Sequence, residues 1–338
     1  MGLMIDDLED WFAWSRRQGR AKAVAARLRH PRRRNEPPPA FLLLPSQEPT
    51  TLVVIDKLSV SCRWAMAAPL AHLDPERTAV LSALDEAREL VDWPTHEVSW
   101  RRGGPLPHSV EQVFTLGAYN DLAGPAREWA RRREARHCVV QHGLITPWAP
   151  PLAPGDHFLA WSQDDADFQT DGRSDVTSEV VGSQMFWHAA HLPPAELVDD
   201  RPVLLGQLHG VELGRREEQR IYIQFCRDTG AQYRPHPNEA DAVSRLQHRV
   251  MHRAGVEFET SGRPVIDLGR PVVSIFSTGT LEAAQRGLPA WVVHPDPPAW
   301  VSEFWQRYGL SPWGEEPTLP VPLPAREPSS AIASALQN

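Results

Sequence analysis

Two short segments carry the residue types from which an anion-binding site is built. Val272-Val273-Ser274-Ile275-Phe276 reads as a strand that runs into Ser277-Thr278-Gly279-Thr280, and a short helix through Leu281 to Arg286, closed by Gly287, follows. Hydroxyls and a glycine at a helix start offer a phosphate backbone N–H groups, small side chains and the positive end of the helix dipole. The same residues also suit an ordinary helix cap. Glu282, one turn in, is placed either to reach a ribose hydroxyl or to complement the dipole. In the second segment, Tyr233-Arg234-Pro235-His236-Pro237, two prolines hold the backbone extended on either side of one imidazole, with Arg234 beside it as an anion ligand.

A third element, Gln141-His142-Gly143, follows the apolar run Cys138-Val139-Val140. Gly143 permits a tight turn, and a neutral imidazole at that strand end is suited to take a proton from a hydroxyl. A satisfied structural histidine is the alternative. The chain has no GxxxxGK[ST] and no GxSxG, and His137, Cys138 and His142 lack the spacing of a zinc site.

These motifs need strand ends to hold them. Leu52 to Ile55, Val113 to Leu116, Cys138 to Val140, Phe158 to Trp161 and Val180 to Gly182 read as buried strands. Arg77 to Leu90, with Val80, Leu84 and Ala87 at helical spacing, and Glu128 to Arg136 read as helices between them. After Gly182 the rhythm repeats. Strands are expected at Val203 to Gly206, Ala231 to Tyr233, Val256 to Phe258, Val272 to Phe276 and Trp291 to Val293. Helices are expected over Arg215 to Arg227, with Gly230 as C-cap, and over Glu239 to Arg253, with Val243, Leu246 and Val250 on one face. Alternating strands and helices imply an α/β fold with mostly parallel sheets. Gln207 lies just past the first strand of the second half, at the strand end from which a ligand pocket would be lined.

A length of 338 residues fits two lobes of about 150 residues each. The expected divisions are an appendage (1–39), a first lobe (40–182), a second lobe (183–312) and a proline-rich tail (313–338). The appendage places Trp11, Phe12 and Trp14 before nine basic residues between Arg16 and Arg34, with no acid among them. It reads as a peripheral helix on an anionic membrane face, or as a solvated helix docked on the body. The net charge of -8 argues against nucleic acid. Only Lys22 and Lys57 are lysines; the other 33 basic residues are arginine, which we read as a codon bias. Three scattered cysteines and the lack of a long apolar run or signal-like N-terminus are the pattern expected of a cytoplasmic chain.

The His-Gly, His-Pro and Ser-Thr motifs, in this order between about Val113 and Val293, resemble those of the bacterial GT-B enzymes of surface polysaccharide assembly. That group includes sialyl- and polysialyltransferases, capsule Kdo transferases and teichoic-acid glycerophosphotransferases. The resemblance implies two Rossmann-like lobes with a cleft between them. It implies that His236-Pro237 and Ser277-Thr278 hold the nucleotide part of the donor, and that His142 acts in catalysis. The acidic triplet that carries the base in the sialyltransferases is missing; Asn120-Asp121-Leu122-Ala123-Gly124 is the nearest stretch, so the base falls to His142 or Asp121. The implied activity is metal-independent transfer from a CMP-, CDP- or UDP-activated donor to a hydroxyl of an envelope glycan, with no cofactor beyond the donor itself. A nucleotide-sugar epimerase or hydrolase of the same fold, which would need a carboxylate cluster, and a non-catalytic nucleotide-sugar or glycan binder are the alternatives.

Overall fold

The computed structural model describes residues 2–29, 39–208 and 210–337. The chain divides into two compact units, residues 1–185 with 324–338, and residues 186–323.

The first unit begins with α1 (Leu8–Arg29), whose N-terminus is capped by Asp7 Oδ1 accepting from the N–H groups of Glu9 and Asp10. The segment is seated on the unit by Met4 N–H donating to the Pro147 carbonyl at 2.7 Å and by Trp11 Nε1 donating to the Trp148 carbonyl at 3.0 Å. Of the nine basic residues expected here, only Arg16 and Arg17 have described side chains. The membrane contact assigned to the rest lies outside the described residues.

Eight strands follow: β1 (Ala40–Leu44), β2 (Thr51–Ile55), β3 (Thr78–Ser82), β4 (His96–Trp100), β5 (Gln112–Thr115), β6 (Arg136–Val140), β7 (Asp156–Ala160) and β8 (Thr177–Val180). They form one sheet in the order β4-β1-β3-β2-β5-β6-β7-β8. β3, β2 and β5 through β8 are parallel, whereas β1 runs antiparallel to β3 and β4. The connecting helices are α2 (Val60–Cys62), continued by tighter and wider turns to His72, α3 (Glu86–Glu89), α4 (Ala123–Arg132) and α5 (Gln163–Thr170); α6 (Gln184–His191) carries the chain from the first unit into the second. Both faces of the sheet are covered. Val53, Ile55, Phe114 and Leu159 face one core, and Leu52, Val54, Leu81 and Val113 the other.

The expected helix from Arg77 to Leu90 is instead β3 followed by the short α3. All five residues of β3 are buried between β1 and β2, and a strand covered on both faces has no alternation to distinguish it from a helix.

The second unit has four parallel strands, β9 (Val203–Leu205), β10 (Gln232–Arg234), β11 (Val272–Ser274) and β12 (Ala290–Val292), in the order β10-β9-β11-β12. Its helices are α7 (Arg215–Thr229), α8 (Ala242–Arg253), α9 (Thr278–Gln285) and α10 (Ala299–Arg307). Gly230 caps α7 in the left-handed conformation with its N–H on the Cys226 carbonyl. The expected strand at Val256 to Phe258 is reduced to a single bridge between Tyr233 and Phe258.

On α8 the expected apolar face is turned outward. Ser244, Gln247 and Met251 are buried, while Val243, Leu246 and Val250 are exposed. The proline-rich stretch after Pro312 ends in another helix, α11 (Pro328–Gln337), which packs Ile332 and Leu336 into the core of the first unit.

Candidate functional site

Each unit presents loops at the C-terminal ends of its parallel strands, and in each the strand order reverses beside the first strand of the parallel set. Such reversal points leave a crevice outside the strand ends, which is where ligands bind in open α/β sheets.

In the second unit β9 is flanked by β10 and β11, so the crevice lies between the ends of β9 and β11. Gln207 leaves β9 there, and its Nε2 donates to the Phe276 carbonyl at 3.3 Å. Across from it Ser277 caps α9: its Oγ accepts from Gly279 N–H at 3.2 Å, and its own N–H is held by Ser274 Oγ at 3.0 Å. Ser274 Oγ shares a further bond with the fully buried Thr280 hydroxyl at 2.7 Å. Thr280 is thus part of the scaffold beneath the turn. A Cβ at Gly279 would stand 2.8 Å from Leu205 Cδ1, so any larger residue there would displace the tip of that side chain. The sequence motif therefore brings Gln207, Ser277 and Thr278 to one crevice, with the N-terminus of α9 aimed into it.

His236 follows the neighbouring β10. Asn238 N–H donates to its Nδ1 at 3.1 Å, which leaves the ring proton on Nε2, and burial lowers its pKa, so a neutral N–H donor is presented. His236 and its loop are anchored by Glu239, a buried carboxylate that accepts from His236 N–H (3.1 Å), Leu208 N–H (3.1 Å), Tyr233 Oη (2.8 Å) and His248 Nε2 (2.7 Å). Pro237 sits inside this turn, between His236 and the anchor. Gly206 makes room for the Tyr233 hydroxyl, which would clash with any Cβ there.

Arg234 is placed differently from its expected role as an anion ligand. Its Nη1 is paired with Glu259 at 2.7 Å and its Nη2 donates to the Arg263 carbonyl at 2.6 Å. Its charge is spent within the unit.

Glu282 lies one turn into α9, where burial and then Asp267 push its carboxyl up to about 7. Two further groups carried no sequence signal. Glu218 on α7 is 1% exposed, both carboxylate oxygens lack a hydrogen-bond partner, and burial followed by the nearby Glu212 and Glu239 pushes its pKa up to about 8. His294, one position beyond Val293 at the β12 end, accepts from Asp296 N–H at 3.2 Å and lies 3.8 Å from Glu217.

In the first unit the order reverses between β2 and β5. Asp56 and Lys57 leave β2, Tyr119, Asn120 and Asp121 follow β5, and His142 follows the adjacent β6. Asp56 accepts from Leu122 N–H at 2.7 Å and Ala123 N–H at 3.1 Å, capping α4. Burial raises its pKa, partly offset by those two bonds. Asp121, the carboxylate expected from sequence, is exposed beside it.

His142 is half-buried. Nδ1 lies 3.4 Å from the Val140 carbonyl, so that nitrogen carries the proton, and Nε2 lies 3.3 Å from Tyr119 Oη, from which it accepts. Burial, reinforced by the Lys57 charge and opposed by the Val140 bond, pushes its pKa down to about 4. The imidazole is therefore neutral at physiological pH with its basic nitrogen on Tyr119. Lys57 Nζ stands 5.6 Å from the centre of the Tyr119 ring, and Trp11 from α1 packs on the same ring at 5.6 Å. Lys57, missed because the scarcity of lysine was read as a codon bias, was nonetheless legible as a candidate from its place at a buried strand's C-terminal end. Tyr119 was not, since nothing local marks it.

His137, near the start of β6, is structural. It is buried between Asp156 Oδ1 (2.8 Å) and Thr115 Oγ1 (3.0 Å).

No family model matches the sequence, and no curated protein matches it. Solved structures of similar outline include a glycosyltransferase from Rickettsia africae ESF-5 (10% identity, TM-score 0.44, covering 86% of this chain and 92% of that one). The UDP-GlcNAc 2-epimerase of Methanocaldococcus jannaschii is similar at 10% identity and TM-score 0.46, covering 84% and 92%. The glycotransferase of kitacinnamycin is similar at 12% identity and TM-score 0.40, covering 86% and 90%. What the chain's own strand order establishes is two Rossmann-like units, each with a reversal point of the kind at which ligands bind in open α/β sheets.

Proposed function

We propose that the chain is a metal-independent glycosyltransferase of GT-B type that takes a CMP-, CDP- or UDP-activated sugar or polyol phosphate and transfers it to a hydroxyl of a cell-envelope or capsular glycan. The observation that carries the reading is the meeting of Gln207, Ser277, Thr278 and the α9 N-terminus at the reversal point of the second sheet. In this reading the donor phosphate lies on the N-terminus of α9, with Ser277, Thr278 and the Nε2–H of His236 as donors, and those fixed dipoles stabilise the leaving phosphate. Gln207 and Glu282 meet the nucleoside, the latter through a ribose hydroxyl. Arg234 acts on the anion only through the field left over from Glu259.

The acceptor hydroxyl would be deprotonated at His142, with Asp121 as the lesser candidate. A neutral imidazole with a bare Nε2 can accept a proton once the acceptor displaces Tyr119. The reading places the enzyme in the cytoplasm. Among the described residues no helix is long and apolar enough to cross a membrane.

A nucleotide-sugar epimerase is the second reading. It is favoured by the buried Glu218 and the half-buried Glu282, carboxyls whose raised pKa values let them hold or release a proton near neutrality.

Calorimetry with CMP, CDP and UDP tests the shared premise: one should bind, Ser277→Ala should weaken that binding several-fold, and failure of all three to bind removes both readings. Incubation of a UDP-sugar without acceptor then separates them, because an epimerase interconverts the sugar and a transferase leaves it unchanged.

A further inference from the structure

Helix α8 is built with its apolar side out. Its packed side is Ser244, Gln247 and Met251, and this rotation is fixed by side-chain bonds. Gln247 Nε2 donates to the Arg215 carbonyl at 2.9 Å, Gln219 Nε2 donates to the Gln247 carbonyl at 3.2 Å, and His248 Nε2 is on Glu239 at 2.7 Å. The outer side carries Val243 (54% exposed), Leu246 (54%) and Val250 (42%) in one stripe at i, i+3, i+7. Single exposed apolar residues are ordinary, but a stripe along a helix that buries Ser244 and Gln247 beside Met251 is not.

Beside this stripe, at i+4 spacing, run Arg245, Arg249 and Arg253, all exposed, and the helix contains no acidic residue. Arg253 also complements the helix dipole at the C-terminus; Arg245 and Arg249 lie too far upstream for that. An apolar ribbon bordered by a cationic row is the surface that lies on an anionic bilayer, with the aliphatic side chains below the headgroups and the guanidinium groups among the phosphates. A second copy of the chain is a poorer occupant. A two-fold contact along α8 would set one arginine row near the other, and three aliphatic side chains make a patch far smaller than the roughly 800 Å² per partner of a stable interface.

We propose that the outer face of α8 is a membrane-docking surface for anionic lipid headgroups. This surface is separate from the N-terminal helix and does not depend on the donor-site reading.

The test uses the full chain with Val250→Cys carrying an environment-sensitive nitrobenzoxadiazole label; the native Cys62, Cys138 and Cys226 are all buried. With phosphatidylcholine vesicles containing phosphatidylglycerol, the label should shift to the blue and brighten several-fold. The change should be absent on phosphatidylcholine alone, fall with added salt, and be lost in the triple variant Arg245→Glu, Arg249→Glu, Arg253→Glu. All substituted positions are exposed, so circular dichroism should stay unchanged and separate docking from folding. A protein that sediments with the vesicles while the label stays silent would mean that another surface meets the bilayer, and would overturn the proposal. A blue shift without vesicles that grows with protein concentration would assign the face to a second copy and overturn it equally.

Discussion

His142 and Glu218 are the two side chains whose titration the fold displaces most usefully, and their pH signatures have opposite signs. The His142 pKa is pushed from the ordinary 6.5 to about 4, so between those values the unfolded chain binds a proton that the folded chain refuses. Stability should therefore fall as pH drops from 6.5 toward 4, by about 2 to 3 kcal/mol from this group alone. Urea unfolding of His142→Gln should show a flatter dependence over that window; an identical slope would mean that the imidazole is better solvated than its surroundings indicate. In the transfer reading, His142→Ala should also abolish turnover and leave nucleotide affinity unchanged. Glu218 behaves inversely. Its folded pKa of about 8 lies above the ordinary 4.5, so its contribution is fully present below 4.5 and is lost as pH rises through 8. Glu218→Gln should stabilise the protein at pH 8, on the order of 3 kcal/mol, and change little at pH 4. If wild type and variant unfold alike at pH 8, the orphaned oxygens have partners in solution.

At the scale of elements, the turn before α9 shows how motif and scaffold divide the work. Ser277→Ala should cost about 1 kcal/mol through loss of the cap. It should weaken nucleotide binding by more than a change at the C-terminus of the same helix would. Both can be read from one thermal-shift titration with and without CMP or UDP. This element was legible in the sequence because strand, hydroxyl, glycine and helix are contiguous, and local chemistry alone defines the turn. The same holds for the left-handed cap at Gly230. The arginine at 234 was misjudged for the opposite reason: its partners, Glu259 and the Arg263 carbonyl, come from a loop some 25 to 29 residues away. β3 was misread because burial on both faces erases periodicity, and α8 because periodicity reports that a face is apolar but not that the face is buried. Around His142, Asp56, Lys57 and Tyr119 converge only through strand order, which no window of the sequence contains.

For the whole molecule, the chain leaves its first unit at Met185 and returns at Pro324, so each end of the sequence contributes to the same body. The return is firmly tied. Arg136 Nη1 donates to the Ala335 carbonyl at 2.8 Å, Gln184 bridges Glu327 (2.8 Å) and Ser329 N–H (2.9 Å), and Ile332 and Leu336 are buried beneath the sheet that carries His142. The second unit has its own core, around Val203, Leu205, Val272 and Ala284, and no part of that core comes from α11. The two bodies should therefore respond separately to a change in the last helix. The double variant Ile332→Ala, Leu336→Ala removes two buried aliphatic side chains at about 2 to 5 kcal/mol each, a large part of an ordinary domain's 5 to 15 kcal/mol. Scanning calorimetry should show one transition moved down by 10 °C or more, on the order expected for a loss of that size, and a second left in place. Nucleotide binding should persist below the upper transition, because Gln207, His236 and Ser277 belong to the body that stays folded. If both transitions move together, or nucleotide affinity is lost with the first, the units fold as one and the donor site depends on the first sheet.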